Sequence, residues 1–193
     1  MKRLLVLALA VVLAGCSSSK PAGQRTADTA TQKLAAQAAL APCPAAGKPA
    51  TGSKLLPDLT LQCLGGPGQV RLRNLTGMPT VLNFWATWCD NCRAEMAAVQ
   101  RFATVAAGKV RVLGVNSQDL SEKAPLSFLA DAKVHFASVY DKQGSAGRDL
   151  GLPGLPVTVL VRADGRVTTI HPQPVDYAAL RTLVRQQLHV TVG

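Results

Sequence analysis

The stretch Thr80-Val81-Leu82-Asn83-Phe84-Trp85 is almost continuously apolar, and four residues beyond its end a Cys-x-x-Cys pair, Cys89 and Cys92, opens a new pattern. After the pair, Met96, Val99, Phe102 with Ala103, and Ala106 recur on one face at helical spacing, and Gly108 ends the run. A buried strand thus leads through two cysteines into an amphipathic helix. At the helix start Cys89 meets unpaired backbone N–H groups and the positive end of the helix dipole. That environment favours the thiolate by on the order of 1 kcal/mol, and only the thiolate attacks a disulfide. Two intervening residues hold Cys92 close enough to release a mixed disulfide. Cys89 is read as the exposed nucleophile and Cys92 as the buried resolving thiol.

Other uses of such a pair fit less well. Zinc wants a second ligand pair, but no second Cys-x-x-Cys is present, and His135, His171 and His189 stand apart. Haem attachment wants a histidine where Arg93 stands. A purely structural disulfide needs neither the preceding strand nor the following helix. The reading therefore includes no metal and no cofactor.

The rest of the chain supplies the context. Lys2 and Arg3 precede an apolar run, Leu4 to Leu13, too short to span a bilayer. Small residues follow, ending Leu13-Ala14-Gly15-Cys16. Residues 1–15 are read as an export signal. The tetrapeptide resembles the bacterial lipobox, which implies cleavage before Cys16 and a lipid on its sulfur. Of the five cysteines, four then remain, and three connectivities are open to them. The local Cys89–Cys92 bond leaves Cys43 with Cys63, read as a structural bond with a second redox pair as the alternative, in a compartment oxidising enough to keep both. Residues 16–54 are read as the lipidated cysteine and a flexible tether. Residues 31–40 could form a weak helix, but the Ala, Gln, Ser, Thr and Lys composition favours the tether, and Pro42, Pro44 and Pro49 break any regular structure after it.

The folded domain is expected over residues 55–193. Short strands are read at 59–63 and 70–72, strands at 110–115 and 136–140, a helix at 121–132 with Ser121 as its cap, and a short helix at 145–150. Strands at 157–161 and 167–170 flank the Asp164-Gly165 turn, and Asp176 caps a last helix whose apolar face is Leu180, Leu183, Val184 and Leu188. The order gives an α/β fold: a mixed central sheet flanked by helices, with an N-terminal strand pair and a helix–strand insertion. With 193 residues, 48% of them apolar, one core is expected rather than two. The net charge of +10 comes from scattered lysines and arginines with only 4% aromatic residues, a balance that suits solubility and anionic lipid surfaces rather than nucleic acid.

Residues Asn83 to Met96, the Gly154-Leu155-Pro156 approach to a strand and the Asp164-Gly165 hairpin together resemble the thioredoxin superfamily, most closely the exported thioredoxin-like proteins of the ResA/TlpA/CcmG type. The resemblance spans roughly residues 55–188. It implies a thioredoxin-like fold, a cis peptide bond at Pro156, and a Leu155 backbone that pairs with an extended substrate segment. It also implies that Glu95 is an acidic residue near the pair, able to move protons or tune the thiols. The competing reading of Glu95 is a surface residue placed favourably in a helix first turn. Asn83 departs from the buried aspartate of cytoplasmic thioredoxins. Trp88 is expected to cover the reactive sulfur and give a client apolar contact, and Trp85 is read either as core or as part of the site.

The implied activity is an extracytoplasmic, membrane-anchored thiol–disulfide oxidoreductase. A reductase is favoured, because Asp90 beside Cys89 disfavours the thiolate and so makes the dithiol the better reductant. Its partners would be client disulfides such as the haem-binding cysteine pair of apocytochrome c, in cytochrome c biogenesis, with electrons drawn from a membrane thiol reductase of the CcdA/DsbD type. The alternatives are a disulfide-forming oxidase or isomerase, and a non-catalytic binding lipoprotein with the same fold.

Overall fold

The computed structural model describes residues 28–193. The export signal, Cys16 and the first part of the expected tether lie outside the described residues. In chain order the elements are helix α1 (Thr29–Ala38), strands β1 (Thr60–Cys63) and β2 (Gln69–Arg71), β3 (Thr80–Trp85), α2 (Asp90–Val105), β4 (Arg111–Ser117), α3 (Lys123–Asp131), β5 (Ser138–Asp141), α4 (Ser145–Asp149), β6 (Val157–Val161), β7 (Val167–His171) and α5 (Tyr177–Leu188).

The seven strands form one mixed sheet in the order β2-β1-β5-β4-β3-β6-β7. β3, β4 and β5 run parallel, while β6, β7 and the β1–β2 hairpin are antiparallel to their neighbours. The crossovers β3-α2-β4 and β4-α3-β5 step in one direction along the sheet and place their helices on the same face. The step from β5 to β6 goes the other way and puts α4 on the opposite face. Alternation along β3 follows from this. Val81 and Trp85 pack under α2, α3 and α5, whereas Leu82 and Phe84 pack under α4, Leu56, Leu72 and Leu75. All six residues of β3 are buried, as a strand covered on both faces requires.

Helix α1 stands where a flexible tether is expected. Most of its residues are good helix formers, but ten residues alone are marginal in water, and packing decides the matter. Asp28 caps it by accepting from the Thr31 N–H at 2.8 Å, and the same carboxylate pairs with Lys123 of α3 at 2.9 Å. Ala38 is fully buried. The docking is close: a Cβ on Gly65 would lie 2.6 Å from Leu126 of α3 and 3.0 Å from Ala35 of α1, and the backbone there has φ +70°. The chain that follows is also fastened, with Ala41 N–H donating to the His135 carbonyl, Gly47 N–H to Asn74 and Ala50 N–H to Arg73. The packed unit therefore takes in residues 28–54 as well as the expected domain.

Other differences are local. α3 begins at Lys123 without a cap from Ser121, and the Glu122 carboxylate instead accepts from the Gly65 N–H at 3.0 Å. Asp176 does cap α5, accepting from the Ala179 N–H at 2.7 Å. Cys43 and Cys63 are bonded, tying the segment before the domain to β1.

Candidate active site

Three loops leave the same end of the sheet. β3 ends at Trp85, whose register partner on β4 is Asn116, and Phe84 pairs with Val157 at the start of β6. The 86–89 loop, the 118–122 loop and the 154–156 loop therefore gather at one rim, at the carboxyl ends of the parallel strands. Ligand sites of open α/β sheets form at such ends.

Cys89 is the N-cap of α2. Its backbone is extended, and its sulfur accepts from the Cys92 N–H at 3.2 Å. This is the orphan-donor environment that stabilises a thiolate. Cys89 and Cys92 are bonded to one another, with Cα atoms 5.2 Å apart. Cys92 is wholly inaccessible and Cys89 is 9% exposed, so only the first cysteine opens to solvent, and narrowly. The Asp90 carboxylate faces water and pairs with Arg93 at 3.2 Å. Its field at Cys89 is screened by that pairing and by solvent, which weakens the case for a reductase drawn from Asp90 alone.

Glu95 is not a surface residue. Only 4% of it is exposed, one turn beyond Cys92 on the same helix. Its carboxylate accepts from Asn83 Nδ2 at 2.6 Å and from the Val175 N–H at 2.8 Å. Burial pushes its pKa above the ordinary glutamate value, while the Val175 and Asn83 donors pull in the opposite direction. Asn83 is thus the partner of the buried acid, and its Oδ1 is left without a hydrogen bond. The acid comes from α2 rather than from the strand position that it occupies in cytoplasmic thioredoxins.

Trp85 is fully buried and belongs to the core, its ring 5.7 Å from that of Phe128. Trp88 stands 58% exposed immediately before Cys89. The Leu155–Pro156 bond is cis, and Leu155 is partly open beside both halves of the core.

Asp119 joins the site only in the structure. It is buried and accepts from the Thr87 N–H at 3.0 Å, from the Thr87 hydroxyl, and from Asn116 Nδ2 at 2.6 Å. It pins the loop that delivers Cys89. Asp119 sits in a polar stretch without periodicity, and no local pattern marks it as buried.

The arrangement can exchange disulfides: a sulfur at the rim, stabilised at a helix N-terminus, with a second sulfur directly behind it and a buried acid one turn deeper. Known proteins agree with this geometry. The thiol:disulfide interchange protein DsbE of Yersinia pestis is 38% identical over 122 residues, 61% of this chain and 62% of that protein. The chain thus spans under two thirds of the length of that relative. Among solved structures, a putative DsbE from Chlorobium tepidum superposes with a TM-score of 0.60 at 27% identity, covering 72% of this chain and 95% of that one. A protein described as a secreted Mycobacterium tuberculosis disulfide oxidoreductase homologous to Escherichia coli DsbE gives 0.54 at 28% identity, covering 62% and 86%. The fold is thioredoxin-like. The model of the Redoxin family matches residues 50–183, well over half of the sequence, and the chain belongs to that family.

Proposed function

We propose that this protein is an extracytoplasmic thiol–disulfide oxidoreductase, held at the membrane by a lipid on Cys16, that reduces disulfides in client proteins. The observation that carries the reading is the Cys92 N–H donating to the Cys89 sulfur at 3.2 Å, with Cys92 itself sealed behind it. In the reduced protein the Cys89 thiolate attacks one sulfur of a client disulfide. A mixed disulfide forms and the first client sulfur leaves as thiolate. Cys92 then attacks the Cys89 sulfur, closing the Cys89–Cys92 bond and expelling the second client thiolate. Two electrons pass to the client, which takes up two protons as its thiolates are protonated. Glu95 lies one turn from Cys92 and accepts the proton that Cys92 must lose in the second step. Trp88, Leu155 and Pro156 border the client's path, and the Leu155 backbone is available to an extended segment.

The kinship with DsbE proteins supports a client such as apocytochrome c, and resupply of electrons by a membrane thiol reductase of the CcdA/DsbD type. The export signal and lipobox support the location, as does the secreted relative. Replacing Cys92 with serine stops the reaction at the mixed disulfide. Client adducts on Cys89 should then appear on non-reducing gels and vanish with added dithiothreitol, whereas an absence of adducts would overturn the assignment. The reduction potential fixes direction: about −250 mV or lower fits a reductase, and about −120 mV makes the protein an oxidant.

A further inference from the structure

Exposed apolar side chains are ordinary taken singly. Leu120 is 88% exposed, the highest among the large apolar side chains of the described residues, and it is held in place by unusual means. Gln118, two residues before it, has φ +64°, a left-handed conformation that a residue other than glycine adopts at a cost. The Gln118 N–H donates to the Asp141 carbonyl at 3.0 Å, and the Asp119 carbonyl accepts from the Tyr140 hydroxyl at 2.8 Å. The Asp119 side chain points inward to Thr87 and Asn116. A strained residue and a buried carboxylate are together used to turn residue 119 in and residue 120 out. Through Asp119 and Thr87, Leu120 is fastened to the loop that carries Trp88 and Cys89.

We propose that Leu120 and Trp88 are the two apolar walls of a client-binding contact, and that the occupant is an extended, unfolded segment of an exported polypeptide with an apolar residue beside its disulfide cysteine. The proposal rests on the reading that Cys89 exchanges with client disulfides. Cys89 is so little exposed that a disulfide must arrive on a thin, extended segment to reach its sulfur. The residues flanking that disulfide then pass over whatever borders the loop. The charged groups nearby are already engaged: Asp90 with Arg93, Glu122 on the Gly65 N–H, and Lys123 with Asp28. The two large exposed side chains that border the loop, Trp88 and Leu120, are apolar, so they favour an apolar neighbour.

The test uses the reduced full-length protein, two cyclic disulfide peptides that differ only in Leu or Ser before the first cysteine, and oxidised glutathione. In each reaction Cys89 and Cys92 become a disulfide and the substrate disulfide becomes two thiols. Wild type should reduce the Leu peptide roughly tenfold faster than the Ser peptide, the scale of one apolar contact removed from water. Leu120→Ser should lower that preference to within about twofold, and Leu120→Met should restore it. Val105→Ser, at the far end of α2 and itself exposed, should leave the preference unchanged. A preference that survives in Leu120→Ser overturns the proposal. So does an equal slowing of both peptides and glutathione, which would mean that the loop acts on the cysteine pair. If wild type reduces neither peptide nor glutathione, the redox reading itself fails and takes this contact with it.

Discussion

Asp119→Ala tests whether the loop that delivers Cys89 is held by one buried carboxylate. The change removes an acceptor for three donors: the Thr87 N–H, the Thr87 hydroxyl and the Asn116 amide. The hydroxyl can rotate toward another acceptor, but the Thr87 N–H and the buried Asn116 amide cannot easily do so. Each stranded donor costs about 1–3 kcal/mol. Removing the charge recovers part of its own desolvation cost. The net loss is therefore about 2–4 kcal/mol, on the order of a 5–15 °C fall in Tm for a domain of this size. Urea unfolding of the oxidised protein, followed by tryptophan fluorescence, measures it. Thr87→Val keeps the N–H donor and should cost about 1 kcal/mol. Because the two sites share partners, the double variant should lose less than the sum of the single losses. An Asp119→Ala loss below about 0.5 kcal/mol, or strict additivity with Thr87→Val, would refute the clamp.

The raised pKa of Glu95 has a definite sign in stability. The folded chain keeps this proton where the unfolded chain has released it, so stability is fully present below the unfolded value and is lost as pH rises through the folded one. Glu95→Gln should flatten that decline as pH rises above about 4.5 in urea titrations, with Asn83 turning its free Oδ1 toward the new amide; an unchanged slope would contradict the burial. Replacing Cys43 and Cys63 together with alanine opens a 20-residue loop and should cost about 3 kcal/mol under oxidising conditions, while Cys89, once its bond to Cys92 is reduced, still reacts with oxidised glutathione. A Cβ on Gly114 would sit 2.4 Å from Ser138 Oγ and 3.1 Å from Trp85 Nε1, so Gly114→Ala should lose about 1–3 kcal/mol and recover part of it when Ser138→Ala is added, both read by thermal melts.

What was legible in the sequence is what short-range pattern encodes. β3 and α2 could be read because one is a continuous apolar run and the other repeats every three to four residues, and each signal sits within one element. The Asp176 cap and the Asp164-Gly165 turn were legible for the same reason. Pro156 was different: nothing local marks its bond as cis, and only the resemblance raised it. Helix α1 escapes such a reading because its stability lies in Ala38 and Asp28 meeting α3, a surface some ninety residues away in the chain. No local composition reports such a surface.

Glu95 and Asp119 extend that point into the site. Both are buried acids, and what matters in each is the set of donors supplied by distant chain: Val175 is 80 residues from Glu95, and Thr87 is 32 from Asp119. A carboxylate is tolerated in the interior only where the fold brings such donors to it. Its burial therefore follows from the sheet register and the loop closures, and cannot be read before them. The cysteines announce their chemistry in four residues, because the helix start that activates Cys89 is local. The acid that would move their protons and the clamp that aims them are tertiary, and they become visible only once β3, β4 and the β7–α5 loop lie side by side.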